Sequence, residues 1–307
     1  MHNTTEHPLL TVAGFSAARQ HVDTQFGRIA YVEAGDGPAA VFLHGFPLNS
    51  FHWRHQLTEL SNDRRCIAID MMGLGHSQVA DDQDLSFNSQ ADMVLGAMDA
   101  LDINRFELIG NDTGGGIAQL LATKAPNRVT SLVLSNSDTH NNYPPKSLTT
   151  IHDAAGQNRL DDIFVAFLEN PDSARNGLGS VVYENPMHLS DELLATYLRP
   201  LTATPARRRL VNRYIHSQDN AELVSIEPLL QKLEVPTLIL WGTSDVFFDV
   251  EWAYWLEKTI PGAVGVIEYK GARLFFCEER SADVSQNIRV HWQRSIQGVA
   301  TRQPPTP

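Results

Sequence analysis

Asp112 sits in GNDTGGG, residues 110–116, between a short apolar run, RFELI, and a helix-like stretch, IAQLLATKAP. Aspartate at such a place has two uses. It can cap the helix, accepting from the free N–H groups of the first turn. It can also be a nucleophile held up by a tight strand-to-helix turn, as serine is in G-x-S-x-G. Gly110, Gly114, Gly115 and Gly116 permit both the turn and a close approach of helix to strand. The positive end of the following helix dipole favours an anion, so Asp112 is expected to be ionised.

Three further stretches bring partners. HGFP, 44–47, follows the apolar run AAVFL, and a backbone N–H near Phe46 could join that of Thr113 as a pair of donors. Two such donors form an oxyanion hole. His44 is read as shaping this loop rather than carrying a proton. WGTSD, 241–245, puts Asp245 just after a strand, where a carboxylate can orient a histidine, though turns use aspartate there too. Asp138, which ends VTSLVLSNSD, is a second candidate acid.

Short buried runs position these residues. RQHVD, RIAYVEAG, AAVFLHG, CIAIDMMG, RFELIG, VTSLVLSNSD, PTLILWGTSD and GVIEYKG read as strands, with helical patterns between most of them, including Phe87–Leu101 behind a Ser86 cap. Alternation of this kind implies an α/β fold, a mostly parallel sheet with helices on both faces. From 139 to 228 the strand signal stops, and patterns such as LDDIFVAFLEN and SDELLATYLRPL are helical. The expected organisation is a core of 1–138 and 229–300, a helical cap of 139–228, and a disordered tail, 301–307. Open α/β sheets work at the carboxyl ends of their strands, so the cap would lie over the site.

Composition narrows the function. Hydrophobic residues make up 42% and charged residues 20% of 307, and the formal net charge is -12 without a long basic run. Nucleic acid is therefore not an expected partner. Arg207-Arg208-Arg209 reads as a solvated helix face. Cys66 and Cys277 do not make a disulfide framework, and Cys66 reads as a small buried hydrophobe. MHNTTEHPLL lacks the pattern of a signal peptide, and no apolar run is long enough to span a membrane. A cytoplasmic enzyme or binding protein for a small molecule is expected. No metal-ligand spacing appears, and GNDTGGG lacks the Lys-Ser/Thr ending of a phosphate loop, so no metal or cofactor is expected.

HGFP, DMMGLGHS, GNDTGGG and WGTSD, in this order, resemble the oxyanion loop, second turn, elbow and acid turn of the α/β-hydrolase fold family. The aspartate elbow is similar to that of its epoxide hydrolase and haloalkane dehalogenase branch. The resemblance covers about residues 20–138 and 228–295. It implies that Asp112 attacks an electrophilic carbon, leaving an alkyl-enzyme ester that a histidine-activated water hydrolyses. The family's histidine lies in a G-x-x-H pattern followed by E-R. Here the region reads GARLFFCEERS, and Leu274 occupies that position. Three accounts are open: an altered chain that traps the ester; another histidine, His140 before His152; or a chemistry without one, with Asp112 as general base or as part of a binding site. The apolar LFF and FFDVEWAYW make the Leu274 neighbourhood look packed rather than broken.

The resemblance also bears on substrate. Haloalkane dehalogenases usually carry Trp after the aspartate, and fluoroacetate-cleaving relatives Arg; this chain has Thr113. Epoxide hydrolases hold the epoxide oxygen with cap tyrosines, here chosen from Tyr143, Tyr183, Tyr197 and Tyr214, with Tyr197 and Tyr214 preferred. Epoxide opening therefore ranks above dehalogenation, and a ligand-binding protein on a hydrolase scaffold is the reading from another class. His44, Tyr197, Tyr214, Trp241 and Leu274 are the expected substrate-lining residues. A homodimer is an option the family offers, although nothing in the chain marks an interface.

Overall fold

The computed structural model describes residues 7–296, so the tail 301–307 and the first six residues of MHNTTEHPLL lie outside the described residues. Eight strands form one sheet: β1 (Gln20–Thr24), β2 (Gly27–Ala34), β3 (Ala39–Leu43), β4 (Arg65–Ile69), β5 (Phe106–Asp112), β6 (Val129–Ser137), β7 (Thr237–Gly242) and β8 (Ala263–Tyr269). Their order is β1-β2-β4-β3-β5-β6-β7-β8. β2 pairs antiparallel with β1 and β4, and the remaining pairs are parallel. β3, β5 and β7 are buried along their whole length, because helices cover both faces of a parallel sheet. The edge strand β1 is exposed or half-buried throughout.

This order sets β3, β5, β6 and β7 side by side. Their carboxyl ends bring the 44–47 loop, Asp112, Asp138 and Asp245 to one edge of the sheet, as the alternation of elements implied. The helix Thr113–Lys124 starts immediately after Asp112 and is buried over nearly its full length. The helix Phe87–Ala100 is capped by the Ser86 hydroxyl, which accepts from Ser89 N–H. Among the described residues no helix is long and apolar enough to cross a membrane. Cys66 is buried, as expected, and burial pushes its thiol up.

Between β6 and β7 the described elements are all helical, the longest being Asp191–Thr202, Pro205–His216 and Leu160–Glu169. Ser190 and Thr204 cap the first two through their hydroxyls. This segment is bonded to the sheet core at several points. Asn49 Nδ2 donates to Thr196 O at 2.8 Å. The Arg207–Arg209 run is not a freely solvated face: Arg207 donates to Ser77 O at 2.9 Å and to Gly75 O, and Arg209 pairs with Asp81. Local charge count gave no sign of this, because the partners are backbone carbonyls and a carboxylate more than a hundred residues away.

A second junction centres on Glu278, which is 3% exposed. Its carboxylate accepts from Arg54 Nη1 at 2.6 Å and pairs with His52 Nδ1 at 3.0 Å, both from the core. It also accepts the hydroxyls of Tyr183 at 3.0 Å and Tyr197 at 2.9 Å, both from the helical segment. Next to it, Phe275 N–H donates to Val182 O, and Glu279 accepts from the N–H groups of Glu184 and Asn185. Arg280 pairs with Glu184 at 2.7 Å. Residues 275–280 are thus tied to 182–197 along their length.

Candidate active site

The elbow is built from close approaches. Asp112 has φ 57° and ψ -130°, a conformation sparsely populated by residues with a side chain. Holding it costs on the order of 1–3 kcal/mol, which the surrounding packing must offset. A Cβ on Gly114 would stand 2.3 Å from Leu43 O, so the helix reaches β3 only as glycine. A Cβ on Gly45 would stand 2.2 Å from Asp112 Oδ2. The loop after β3 therefore passes directly against the aspartate. Phe46 N–H donates to Asp112 Oδ2 at 2.9 Å.

Two more carboxylates stand nearby. Asp138 N–H donates to Asp112 O at 3.3 Å, and Asp138 is 2% exposed. Asp245 is half-buried; its Oδ2 accepts from Asn136 Nδ2 at 2.6 Å and its Oδ1 from Phe247 N–H at 2.8 Å. Asn136 also accepts from Gly242 N–H at 2.6 Å, tying the end of β6 to the end of β7. In this structure, then, an asparagine amide holds the acid-turn carboxylate.

The electrostatics depart from the helix-dipole expectation. Burial, then the charge of Asp138, push Asp112 well above the usual carboxylate range, and the N–H groups of Phe46 and Thr113 only partly oppose this. Burial raises Asp138 to about 7, against the opposing effect of Thr113. Burial raises Asp245 to about 7 as well, opposed by Phe247 N–H and Asn136. The helix terminus loses because three acids share one poorly solvated edge.

Histidine does not complete the set. Among the described residues, no hydrogen bond or ion pair of Asp112, Asp138 or Asp245 involves a histidine. Leu274 is 4% exposed, and its carbonyl accepts from Asn111 Nδ2 at 3.2 Å. The His140 ring pairs with Glu227 at 3.1 Å and packs beside Trp255, so it is engaged away from the three acids. His44 is fully buried; Met71 N–H donates to its Nε2 at 3.1 Å, which leaves the proton on Nδ1, 2.8 Å from Gly45 O. Burial holds it down to about 4, so it is neutral and shapes the loop.

The tyrosines separate clearly. Tyr143 donates to Ile215 O at 3.0 Å. Tyr197, expected to meet substrate, is committed with Tyr183 to Glu278. Trp241 is fully buried and donates to Phe248 O at 3.0 Å, so it packs in the core rather than lining a site. Tyr214 is different. It is fully buried, and its ring stacks on Phe46 at 5.6 Å. Burial pushes its phenol up, the charges of Asp112 and Asp138 add to this, and hydrogen bonding from Gln218 and Thr113 opposes it. Sequence reasoning missed Asn136, Gln218 and Glu278.

The sheet order, the elbow and the acid turn define an enzyme class, and the chain belongs to the alpha/beta hydrolase fold family, whose model matches residues 38–279. Over 295 residues it is 26% identical to the cis-3-alkyl-4-alkyloxetan-2-one decarboxylase of Shewanella oneidensis, covering 92% of this chain and 91% of that one. It is 28% identical to epoxide hydrolase 4 of Mus musculus, over 74% of this chain and 65% of the relative. Among solved structures it is similar in fold to a putative ancestral haloalkane dehalogenase, with TM-score 0.76 and 21% identity over 91% of this chain and all of the other.

Proposed function

We propose that the chain opens strained oxygen rings, epoxides first, by attack of Asp112 on a ring carbon. One arrangement supports this above the rest: Asp112 Oδ2 is held by Phe46 N–H, while the ring of Tyr214, a buried phenol beside Thr113, stacks on the same phenylalanine. Fixing Oδ2 leaves Oδ1 as the attacking atom. The new C–O bond forms as the ring C–O bond breaks, and the ring oxygen takes the Tyr214 proton. Tyr214 then regains a proton from solvent. The product is an ester on Asp112 whose carbonyl oxygen, Oδ2, already faces the Phe46 donor. Attack of water on that ester would place charge on the same oxygen. The helical segment between β6 and β7 acts as a cap that keeps bulk water from this step.

Hydrolysis of the ester is the slow step in this reading. Leu274 cannot take a proton, and the base nearest the elbow is Asp138, half ionised near neutral pH. A relative acting on oxetan-2-ones favours including four-membered oxygen rings among the substrates. Dehalogenation ranks second, because Thr113 offers no ring N–H to a departing halide. Incubation with a panel of epoxides, oxetan-2-ones and alkyl halides, followed by intact-mass measurement and peptide mapping, tests the proposal. A lasting adduct on the Asp112 peptide is expected. A folded protein giving neither adduct nor product would sink the ester reading and leave a ligand-binding protein.

A further inference from the structure

Helix Asp191–Thr202 is used on two sides. Tyr197 reaches Glu278 from one, and Glu192, Ala195, Thr196 and Arg199 line a groove on the other. The groove has a volume of about 780 Å³, within the usual range for small-molecule sites. Helix Val12–Ala18 with Arg19, the turn 75–78 and Arg207 complete its walls, so three separate parts of the chain meet there. None of its lining residues belongs to the elbow or the acid turn.

The groove gathers guanidinium groups without ion-pair partners. Arg19 is half-buried, and its Nε is shut off from solvent with no hydrogen-bond partner. Arg207 donates to Pro200 O at 3.0 Å, Ser77 O at 2.9 Å and Gly75 O, oxygens that carry no net charge. Arg199 is exposed. Among the described residues none of these three forms an ion pair, whereas Arg208 and Arg209, beside Arg207, pair with Asp161 and Asp81. Of the acids lining the groove, Asp191 is taken by Arg175, and Glu192 pairs with no groove arginine. The carboxylate of Asp70 is nearby but accepts from the N–H groups of Ser50 and His76. Burial weighs against the charge of Arg19 and of Arg207, opposed by that of Asp70 alone.

We infer that this groove is a second binding site, for a small organic molecule that carries a carboxylate or phosphate. Either group presents the paired oxygens that a guanidinium fork binds, and a partly desolvated guanidinium is costly until an anion meets it. Arg19 and Arg199 supply the open donors, and Arg207 supplies charge from behind its carbonyl contacts. Val12, Ala195, Pro200 and Ala203 offer apolar wall to the rest of the molecule, and the groove is too large for a bare anion to fill. Because the walls come from the first helix, the sheet core and the helical segment, a bound anion fastens that segment to the core.

The test is titration calorimetry of the full chain with phenyl phosphate, phenylacetate and inorganic phosphate, at fixed ionic strength in chloride, with benzyl alcohol as the uncharged control. Saturable binding of phenyl phosphate or phenylacetate is expected, tighter than that of inorganic phosphate, with no saturable binding of benzyl alcohol. Whichever of the two aromatic anions binds more tightly tells whether the head group is phosphate or carboxylate. Arg19→Gln and Arg199→Gln are each expected to weaken that binding on the order of tenfold or more, the loss of one charge-assisted hydrogen bond. The bound anion should also raise the melting temperature, since it holds only the assembled groove. No saturable binding by either aromatic anion overturns the inference. So does binding that both variants leave unchanged, which places the anion elsewhere, or equal binding of benzyl alcohol, which makes the groove merely apolar. Should Arg19→Gln fail to fold, Arg199→Gln, at an exposed position, decides alone.

Discussion

A leucine at 274 and an aspartate at 112 divide the reaction between what this chain starts and what it completes. Leu274→His is expected to shorten the life of an Asp112 ester on the order of a hundredfold, the contribution of a placed general base. Adduct decay measured by mass would check it, and an unchanged decay would mean that residue 274 does not face the ester. A second expectation concerns pH. Asp112 attacks only when ionised, and burial with Asp138 beside it raises its pKa. Adduct formation should therefore rise with pH through and beyond the ordinary carboxylate range. Asp138→Asn removes the repulsion, so the midpoint of that rise should move to lower pH; a midpoint that stays put would remove Asp138 from the site. Asp112, Phe46 and Asp245 were legible in the sequence because each follows a buried strand within a short glycine-bearing motif. Asn136 was not, since its role depends on what the neighbouring strand brings to it. Nor was the charge state of Asp112: the helix terminus is local and visible, whereas the opposing acids arrive from β6 and the turn after β7.

The elements set tolerances of a few tenths of an ångström. Gly45→Ala would put a carbon 2.2 Å from Asp112 Oδ2, and the aspartate would have to leave the Phe46 donor. Loss of adduct formation is expected, with the sheet still folded by circular dichroism. Gly114→Ala meets a backbone carbonyl, Leu43 O, at 2.3 Å, and nothing there can turn aside. That variant is expected to lose several kcal/mol in denaturant unfolding, at the upper end of single-substitution effects. The inner strands β3 to β7 were readable because continuous apolar runs suit strands covered on both faces, whereas β1 is a polar edge strand. The long helical excursion was readable as such. Its attachments were not, because Arg207, Tyr183 and Tyr197 reach partners far away in sequence.

At the scale of the whole molecule, two sets of buried carboxyls pull stability in opposite directions with pH. Asp138 and Asp245 titrate near 7 in the folded chain and near 4 when unfolded, so the folded state holds the extra protons. Their effect is to lower stability as pH climbs from about 4 to about 7. Glu278 is the reverse: Arg54 and the facing histidines hold it well below the usual range despite burial. Its contribution is present above its unfolded value and disappears as pH falls through its folded one. Melting temperature is therefore expected to be highest on the acid side of neutrality, near about pH 5. A maximum at or above pH 8 would contradict these assignments. Glu278→Gln leaves Arg54 buried without its counter-charge and should cost about 3–5 kcal/mol.

The ties between residues 275–280 and the helical segment also set an order of assembly. The segment from 139 to 236 is synthesised before Phe275, Glu278, Glu279 and Arg280. Until those residues emerge, the segment's tyrosines and backbone N–H groups at this junction have nothing to hold, and Arg54 waits buried without its acid. A chain ended near residue 270 would carry a nearly complete sheet under a roof that keeps its ties at Asn49, Arg207, Glu222 and Asn142 and lacks those of 275–280. Limited proteolysis of such a truncated chain should cut first around residues 182–190.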